Sequence, residues 1–353
     1  MAADIVDSDI YNKFVLLPEN IRRDVLQWFK SSKEVNIFIT GKTGVGKSTL
    51  VNGLVGDKLA KEGDTLDPET AEVTSYEKKF EWQENDSVTV KVWDSPGLQD
   101  GTSNEAQYLA DMKEKCSDMD IWIYCVSLME TRFEEDDEDV TAMKKLTEIF
   151  GKRMWENSLF ILTFANLAQD MDTEILEAED GQKPELFKAM IQAWKESVVS
   201  TLVTHVGVDE AIANRIEIVP AGYSIEPALL DRDHWLSPVW FAALYTMNPR
   251  AQPAMMKLNF GRIVEKPEEI RDEDLQKFIH EQPLIFSQRG AAVGEKYGES
   301  EVGKAVGCRM GKGASVEIKL VLELHAVAVE IAKRLQKAFM EYIEGTNEAK
   351  KGE

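Results

Sequence analysis

The sequence predicts an α/β protein with a doubly wound, mostly parallel sheet and a helical C-terminal extension. Two observations support this fold. A short apolar run from Val35 to Ile39 leads directly into a glycine-rich turn and then into a helical pattern that ends near Val55. Further apolar runs follow, and several end in a loop that carries polar residues or glycine, as strands do at one edge of such a sheet.

The glycine-rich turn has the pattern G-x-x-x-x-G-K-S. Such a turn aims backbone N–H groups at an anion, and the following helix N-terminus adds positive potential. Lys47 can then reach the outer phosphates of a nucleotide, and the Ser48 hydroxyl can bind Mg²⁺. The predicted nucleotide-binding residues here are Gly41, Lys42, Thr43, Gly44, Val45, Gly46, Lys47, Ser48 and Thr49.

A third predicted strand, Val88 to Trp93, delivers a carboxylate to the same edge. Asp94 and Gly97 form a D-x-x-G pattern, in which the carboxylate holds a water on Mg²⁺ and the Gly97 amide contacts the last phosphate. Position 98 is a leucine, which can neither donate nor accept a hydrogen bond. We therefore expect intrinsic hydrolysis to be slow unless another group orients the attacking water.

A polar stretch before the second predicted strand, Ser75 to Trp82, stands where a nucleotide-dependent switch would lie. A switch needs a threonine that binds Mg²⁺ and the last phosphate together. We predict Thr74 for this role, as a metal ligand and catalytic residue, with Thr70 as the alternative.

A lone arginine follows the fourth predicted strand, Asp120 to Leu128. Arg132 precedes the acidic run 134–139, which we interpret mainly as the solvated start of a helix. The arginine lies on a loop at the nucleotide side of the predicted sheet. It could reach a phosphate in its own subunit or in a neighbouring one.

The fifth and sixth predicted strands, Ser158 to Thr163 and Arg215 to Val219, end in loops suited to a base. The first loop contains Thr163, Phe164, Ala165 and Asn166, and the second contains Gly222 and Tyr223. An asparagine offers one acceptor and one donor, whereas an aspartate offers two acceptors to guanine. The motif alone therefore leaves the choice of base open.

Composition limits the partners and the compartment. The net charge of −22 and the pI of about 4.7 argue against sequence-independent binding of nucleic acid. Three cysteines in no zinc-binding spacing predict reduced thiols, and the N-terminus has no secretory pattern. We therefore expect a cytoplasmic protein without a membrane-spanning helix.

Four segments together resemble the paraseptin GTPases, which include the immunity-associated nucleotide-binding proteins and the chloroplast-import receptor GTPases. The segments are GKTGVGKST, DSPGL, TRFEEDDEDV and ILTFANL. The resemblance covers about residues 33–248 and implies an AIG1-type G domain that binds GTP or GDP with Mg²⁺. It makes 163–166 the base motif, with Phe164 in place of the usual histidine, and Arg132 an arginine that acts across a homodimer or homo-oligomer.

The predicted domains are an N-terminal helix in 1–32, the G domain in 33–248, and a glycine-spaced and helical extension in 249–353. The helix predicted from Val316 to Ile343 packs on the G domain or docks on a partner or a membrane surface. The four histidines are scattered without ligand spacing, and we assign them no function.

The resulting hypothesis is a magnesium-dependent GTP-binding switch that dimerises through its nucleotide face. It would hydrolyse GTP slowly to GDP, with Lys47, Thr74 and Arg132 as catalytic residues and Ser48, Thr74 and Asp94 at the metal. Two alternatives stay open. One is an oligomeric scaffold with incidental hydrolysis, and the other is a P-loop ATPase.

Overall fold

The computed structural model describes residues 33–55, 60, 73–83, 86–95, 105–130, 133, 137–223, 228–255 and 258–259. Residues Ser31–Asn259 form one compact unit. The predicted N-terminal helix, the glycine-spaced segment and the C-terminal helix lie outside the described residues, so the predicted domain division stays a prediction. Among the described residues, no helix is long and apolar enough to cross a membrane.

The unit is built on a six-stranded sheet with the order β2-β3-β1-β4-β5-β6. Its strands are β1 Glu34–Gly41, β2 Thr74–Gln83, β3 Asp86–Asp94, β4 Ile121–Ser127, β5 Ser158–Thr163 and β6 Glu217–Pro220. Only the edge strand β2 runs antiparallel to its neighbour, and the other four pairings are parallel. The predicted α/β fold with a mostly parallel sheet is confirmed.

Helices connect the strands and pack on the sheet. They are α1 Lys47–Val55, α2 Glu105–Lys115, α3 Glu138–Phe150, α4 Ala168–Met171, α5 Thr173–Glu177, α6 Lys183–Thr201, α7 Glu210–Ala213 and α8 Leu236–Thr246. Helix α1 contacts β1 and β3, and α8 contacts β5 and β6. This arrangement leaves the carboxyl ends of β1, β3, β4 and β5 free to carry loops along one edge.

The core follows from the sequence of the central strands. Every residue of β4 and β5 is buried, as expected for strands of a parallel sheet that are covered on both faces. The largest fully buried side chains include Trp155, Trp235 and Trp240. Cys116 and Cys125 are free and buried, which agrees with the predicted thiols, and burial raises the pKa of each to about 12.

A polar network closes the opposite end of the sheet from the nucleotide motifs. The buried carboxylate of Asp120 accepts a hydrogen bond from the Asn36 amide at 2.8 Å and from Arg250 Nε at 2.7 Å. The Asn248 amide donates to the Asp120 carbonyl at 2.7 Å. These bonds fix the chain segment that follows α8 to the starts of β1 and β4.

Candidate functional site

The glycine-rich turn after β1 has the backbone conformation that its sequence predicts. Gly44 and Gly46 both have a φ of 81°, which favours glycine. Gly41 has a φ of 143°, and a Cβ at this position would overlap the carbonyl oxygen of Cys125 on β4. The turn can therefore pass this close to the sheet only because the position is glycine.

Lys47 lies at the centre of the turn. Its ammonium donates to the carbonyl oxygens of Gly41 at 3.2 Å and Lys42 at 2.7 Å, and the residue is 7% exposed. Burial lowers the pKa of Lys47, and the nearby charge of Asp94 acts in the opposite direction. The turn thus curls around a buried cation, which is the charge that nucleotide phosphates require.

The predicted metal residues meet where β1, α1 and β3 converge. Ser48 Oγ donates to Asp94 Oδ2 at 3.4 Å, and Asp94 is fully buried at the end of β3. In the antiparallel ladder, Thr74 at the start of β2 pairs directly with Asp94. Two hydroxyls and a carboxylate are the hard oxygen ligands that Mg²⁺ prefers, so these residues fit a magnesium ion.

A buried hydroxyl of the turn fits a phosphate beside this metal position. Thr43 Oγ1 is buried and makes no hydrogen bond in the part of the chain that the structure describes. A buried hydroxyl without a hydrogen-bond partner lowers the stability of the folded protein. An oxygen of a bound phosphate would be such a partner. Val45 is buried, and Thr49 lies half-buried in the first turn of α1.

Lys42 differs from the other residues of the turn in the direction of its side chain. Its ammonium lies 2.6 Å from Glu130 Oε2, 2.9 Å from Asp139 Oδ2 and 3.8 Å from Asp137 Oδ1. Burial acts to lower the pKa of Lys42, but the hydrogen bonds to Glu130 and Asp139 outweigh it and the pKa is raised. The predicted nucleotide role of this residue therefore falls to its backbone.

The two loops predicted to hold a base are joined by their backbones. The Ala221 amide donates to the Leu162 carbonyl at 2.8 Å, and the Ala165 amide donates to the Ala221 carbonyl at 3.0 Å. These bonds extend the β5–β6 ladder beyond the strands. Thr163 Oγ1 donates to the Val126 carbonyl on β4 at 3.1 Å.

Phe164 brings the base loops to the phosphate turn. It has a left-handed backbone with a φ of 57°, which is rare for a residue other than glycine. A Cβ on Gly46 would lie 3.4 Å from the tip of the Phe164 ring. The ring centroid is 6.5 Å from that of Tyr223, which is 47% exposed. The Phe164 ring thus stands next to the phosphate turn, and the Tyr223 ring lies on the neighbouring loop, where a purine could contact them.

The acceptor of the Asn166 amide is engaged within the protein. Its Oδ1 accepts a hydrogen bond from the Tyr223 amide at 3.0 Å. Beside it, a Cβ on Gly222 would lie 2.8 Å from Nε1 of the buried Trp235. Sequence reasoning missed Trp235, because it lies at the start of α8 and no local pattern links it to the base loops.

Several predicted site residues lie outside the described residues, namely Arg132, Gly97, Leu98 and the alternative switch residue Thr70. Phe133, next to Arg132, is described and packs edge-on against Trp194 of α6 with ring centroids 5.6 Å apart. Sequence reasoning also missed Asp139 as a buried partner of Lys42, because its neighbours are acidic and the run looked solvated.

A glycine-rich phosphate turn, a buried aspartate at the end of β3 and this sheet order define a P-loop nucleotide-binding domain of the GTPase type. Residues 35–201 match the model of the AIG1 family. The resemblance found in the sequence motifs is confirmed.

Known proteins similar to this chain include two chloroplast translocases. The translocase of chloroplast 34 homolog of Chlamydomonas reinhardtii is 26% identical over 145 residues, 39% of this chain and 36% of that protein. Translocase of chloroplast 34 of Arabidopsis thaliana is 29% identical over 136 residues, 38% of this chain and 41% of that protein. The similarity therefore spans less than half of either relative.

One solved structure with the same fold is that of the chloroplast translocon components atToc33 and psToc159, for whose GTPase activity dimerization is described as important. The TM-score is 0.50 at 20% identity, with 65% of this chain and 92% of that chain covered. The predicted cytoplasmic location is wrong by these comparisons, because the two translocases named above are chloroplastic proteins.

Proposed function

We propose that this chain is a magnesium-dependent GTPase switch that dimerises through its nucleotide face. The observation that carries the proposal is the convergence of the buried Lys47 ammonium with the Ser48–Asp94 pair, which lie 3.4 Å apart. A buried ammonium beside a set of oxygen ligands suits a nucleoside triphosphate with its magnesium ion better than it suits the triphosphate or the magnesium ion alone. The solved neighbour's dependence on dimerization supports the second half of the proposal.

In this proposal the chain's own residues divide the work. Lys47 leaves its two backbone carbonyls and binds the β- and γ-phosphates, and the glycine-rich turn donates N–H groups to them. Ser48, Thr74 and Asp94 would hold the magnesium ion through their side-chain oxygens, either directly or through water. By its place in the D-x-x-G pattern, Gly97 would donate its amide to the γ-phosphate. Magnesium supplies the charge that stabilises the transferring phosphoryl group.

Hydrolysis in the proposal is slow in a lone subunit and faster in a dimer. Leu98 cannot orient a water, so one subunit lacks a stabilising group for the transition state. Arg132 of the neighbouring subunit supplies a positive charge that stabilises the transition state, as arginines do in other phosphoryl-transfer sites. GTP and GDP are the proposed ligands, and a homodimer is the proposed assembly.

The test measures GTP turnover per subunit against protein concentration, together with sedimentation in the presence of GDP and of a non-hydrolysable GTP analogue. We expect turnover per subunit to rise as dimers form, and Arg132→Ala to remove the rise. Arg153→Ala is a matched control, because Arg153 is an exposed arginine on the turn after α3. The same rise in Arg132→Ala would exclude the arginine, and nucleotide-dependent assembly with flat turnover would favour the scaffold.

A further inference from the structure

The hydrogen bond between Asn166 and Tyr223 decides which atoms of the amide are left for a base. The Tyr223 backbone N–H can only donate, so the atom that faces it at 3.0 Å must be the amide oxygen of Asn166. Rotating the amide by 180° would bring two donors together. The bond therefore fixes the orientation of the side chain.

The nitrogen of the same amide is then directed away from Tyr223. Nδ2 of Asn166 makes no hydrogen bond to any residue that the structure describes, and the side chain is half-buried. Its two N–H groups remain for a ligand, whereas the Tyr223 amide already occupies one of the two lone pairs of Oδ1. The polarity is opposite to that of an aspartate, which would offer a second oxygen at the same place.

This polarity matters for the edge of a purine that carries N1 and C2. Guanine presents donors there, at N1–H and at the 2-amino group. A donor from Asn166 cannot pair with the 2-amino group. Guanine therefore gains no hydrogen bond here that hypoxanthine, which has only hydrogen at C2, would lack. Xanthine carries an oxygen at C2, which can accept.

Within the described base motif 163–166, the Asn166 amide is the side-chain hydrogen-bonding group left for a base, because the Thr163 hydroxyl donates to the Val126 carbonyl. Among the described residues near Asn166 are Gly222 and the buried Trp235 indole, together with Phe164 and Tyr223, whose ring centroids are 6.5 Å apart. Aromatic rings contact every purine in a similar way, because each base has a π-face. Among the residues of the described base motif, Asn166 is therefore the one whose side chain can distinguish purines at C2 by hydrogen bonding.

We propose that Asn166 acts as a hydrogen-bond donor to the base, so that the site takes 2-oxo and 2-unsubstituted purine nucleotides at least as well as guanine nucleotides. This inference rests on the proposed nucleotide function and deepens it. Asn166 is a specificity-determining residue in this view, and Tyr223 is the positioning residue that fixes its polarity through its backbone.

The test is competition of GDP, IDP, XDP and ADP, each with Mg²⁺, against a GDP labelled on the ribose. For the unmodified chain we expect GDP to bind less than about tenfold more tightly than IDP, and XDP to bind at least as tightly as GDP. Asn166→Asp keeps the bond to the Tyr223 amide and replaces the donor with an acceptor. We expect it to shift the GDP-to-XDP affinity ratio toward GDP by about tenfold or more.

The ratio of two nucleotides on one variant is insensitive to partial loss of folded protein. Asn214→Asp adds the same charge at an exposed position after α7 and should leave the ratio unchanged. A preference of the unmodified chain for GDP over IDP of tenfold or more would overturn the inference, as would an unchanged ratio in Asn166→Asp. Failure to bind any of the four nucleotides, or tightest binding of ADP, would instead overturn the proposed GTPase function.

Discussion

The ammonium of Lys42 and the carboxylate of Asp139 form a largely buried ion pair, with Nζ 2.9 Å from Oδ2. Asp139 is 1% exposed, and its other oxygen accepts a hydrogen bond from the Tyr124 hydroxyl at 2.8 Å. The pair joins the phosphate turn to the first turn of α3. Glu130, in the turn directly after β4, also joins the cluster, with Oε2 2.6 Å from Lys42 Nζ.

Lys42→Met should lower the free energy of unfolding by about 2–4 kcal/mol at neutral pH, because it leaves the buried Asp139 carboxylate without its cation. Burial raises the pKa of Asp139, and hydrogen bonds from Lys42 and Tyr124 oppose that rise. Without Lys42 the pKa in the folded state rises further. The folded variant then takes up a proton at higher pH than the wild type does.

The sign of the pH dependence follows from this uptake. The stability difference between Lys42→Met and wild type should shrink as the pH falls from about 8 to about 5, because protonation removes the buried charge. Chemical denaturation at several pH values measures it. Lys42→Arg, which keeps the cation, should lose less stability than Lys42→Met. A difference that stays constant over this range would show that Asp139 is not the group left unpaired.

Lys47→Met, unlike Lys42→Met, should weaken nucleotide binding without lowering the stability of the nucleotide-free protein. Its ammonium is buried and bonded only to carbonyl oxygens among the described residues, so burial destabilises the charged form. We expect unfolding of the nucleotide-free protein to need at least as much denaturant as wild type. Affinity for Mg–GDP should fall by about 100-fold or more, because charge-assisted bonds to the phosphates are lost. A variant that binds Mg–GDP normally would contradict the role of Lys47.

Much of the fold could be predicted from the sequence, because strand and helix patterns are local. The fifth strand, Ser158 to Thr163, has the predicted limits, and the other strands differ by a few residues at their ends. Helices α2 and α6 were not predicted from the spacing of apolar residues in the sequence. Both have large polar surfaces, and the buried residues of α6, such as Phe187 and Trp194, are widely spaced along it.

The site was predictable where one short motif determines it. The phosphate turn needs glycines at fixed spacing and a strand before it, so residues 41–49 could be identified from sequence. The direction of the Asn166 amide could not, because it depends on the Tyr223 backbone 57 positions away. The partner of Lys42 was hidden for a similar reason, since an acidic run does not reveal which carboxylate is buried.

Gly222→Ala should weaken nucleotide binding through packing. An added Cβ would lie 2.8 Å from the Trp235 indole and 3.4 Å from Asn166 Oδ1, and Trp235 is fully buried. The loop must shift, which disturbs the bond that orients Asn166. We expect Mg–GDP affinity to fall by about tenfold. Gly181→Ala is the matched control, because a Cβ there meets nothing within 4 Å. Equal affinities for the two variants would contradict the close packing at Gly222.

Arg250→Gln should destabilise the unit from the end of the sheet that lies opposite the nucleotide site. Arg250 donates to Asp120 at 2.7 Å and to Asp118 at 2.8 Å. Burial raises the pKa of Asp120, and the Asn36 amide and Arg250 oppose this rise. Removing the guanidinium should cost about 1–3 kcal/mol, less than for a fully buried pair, because the arginine side chain is 45% exposed.

Asp118→Asn separates the two partners of Arg250. Asp118 is 79% exposed, so its ion pair should contribute less than about 1 kcal/mol, whereas the Asp120 carboxylate is 3% exposed. We therefore expect thermal denaturation to show a clear loss in Arg250→Gln and a small one in Asp118→Asn, with Mg–GDP affinity retained in both. Equal losses would mean that Arg250 acts mainly through the exposed carboxylate, and that Asp120 is satisfied by the Asn36 amide alone.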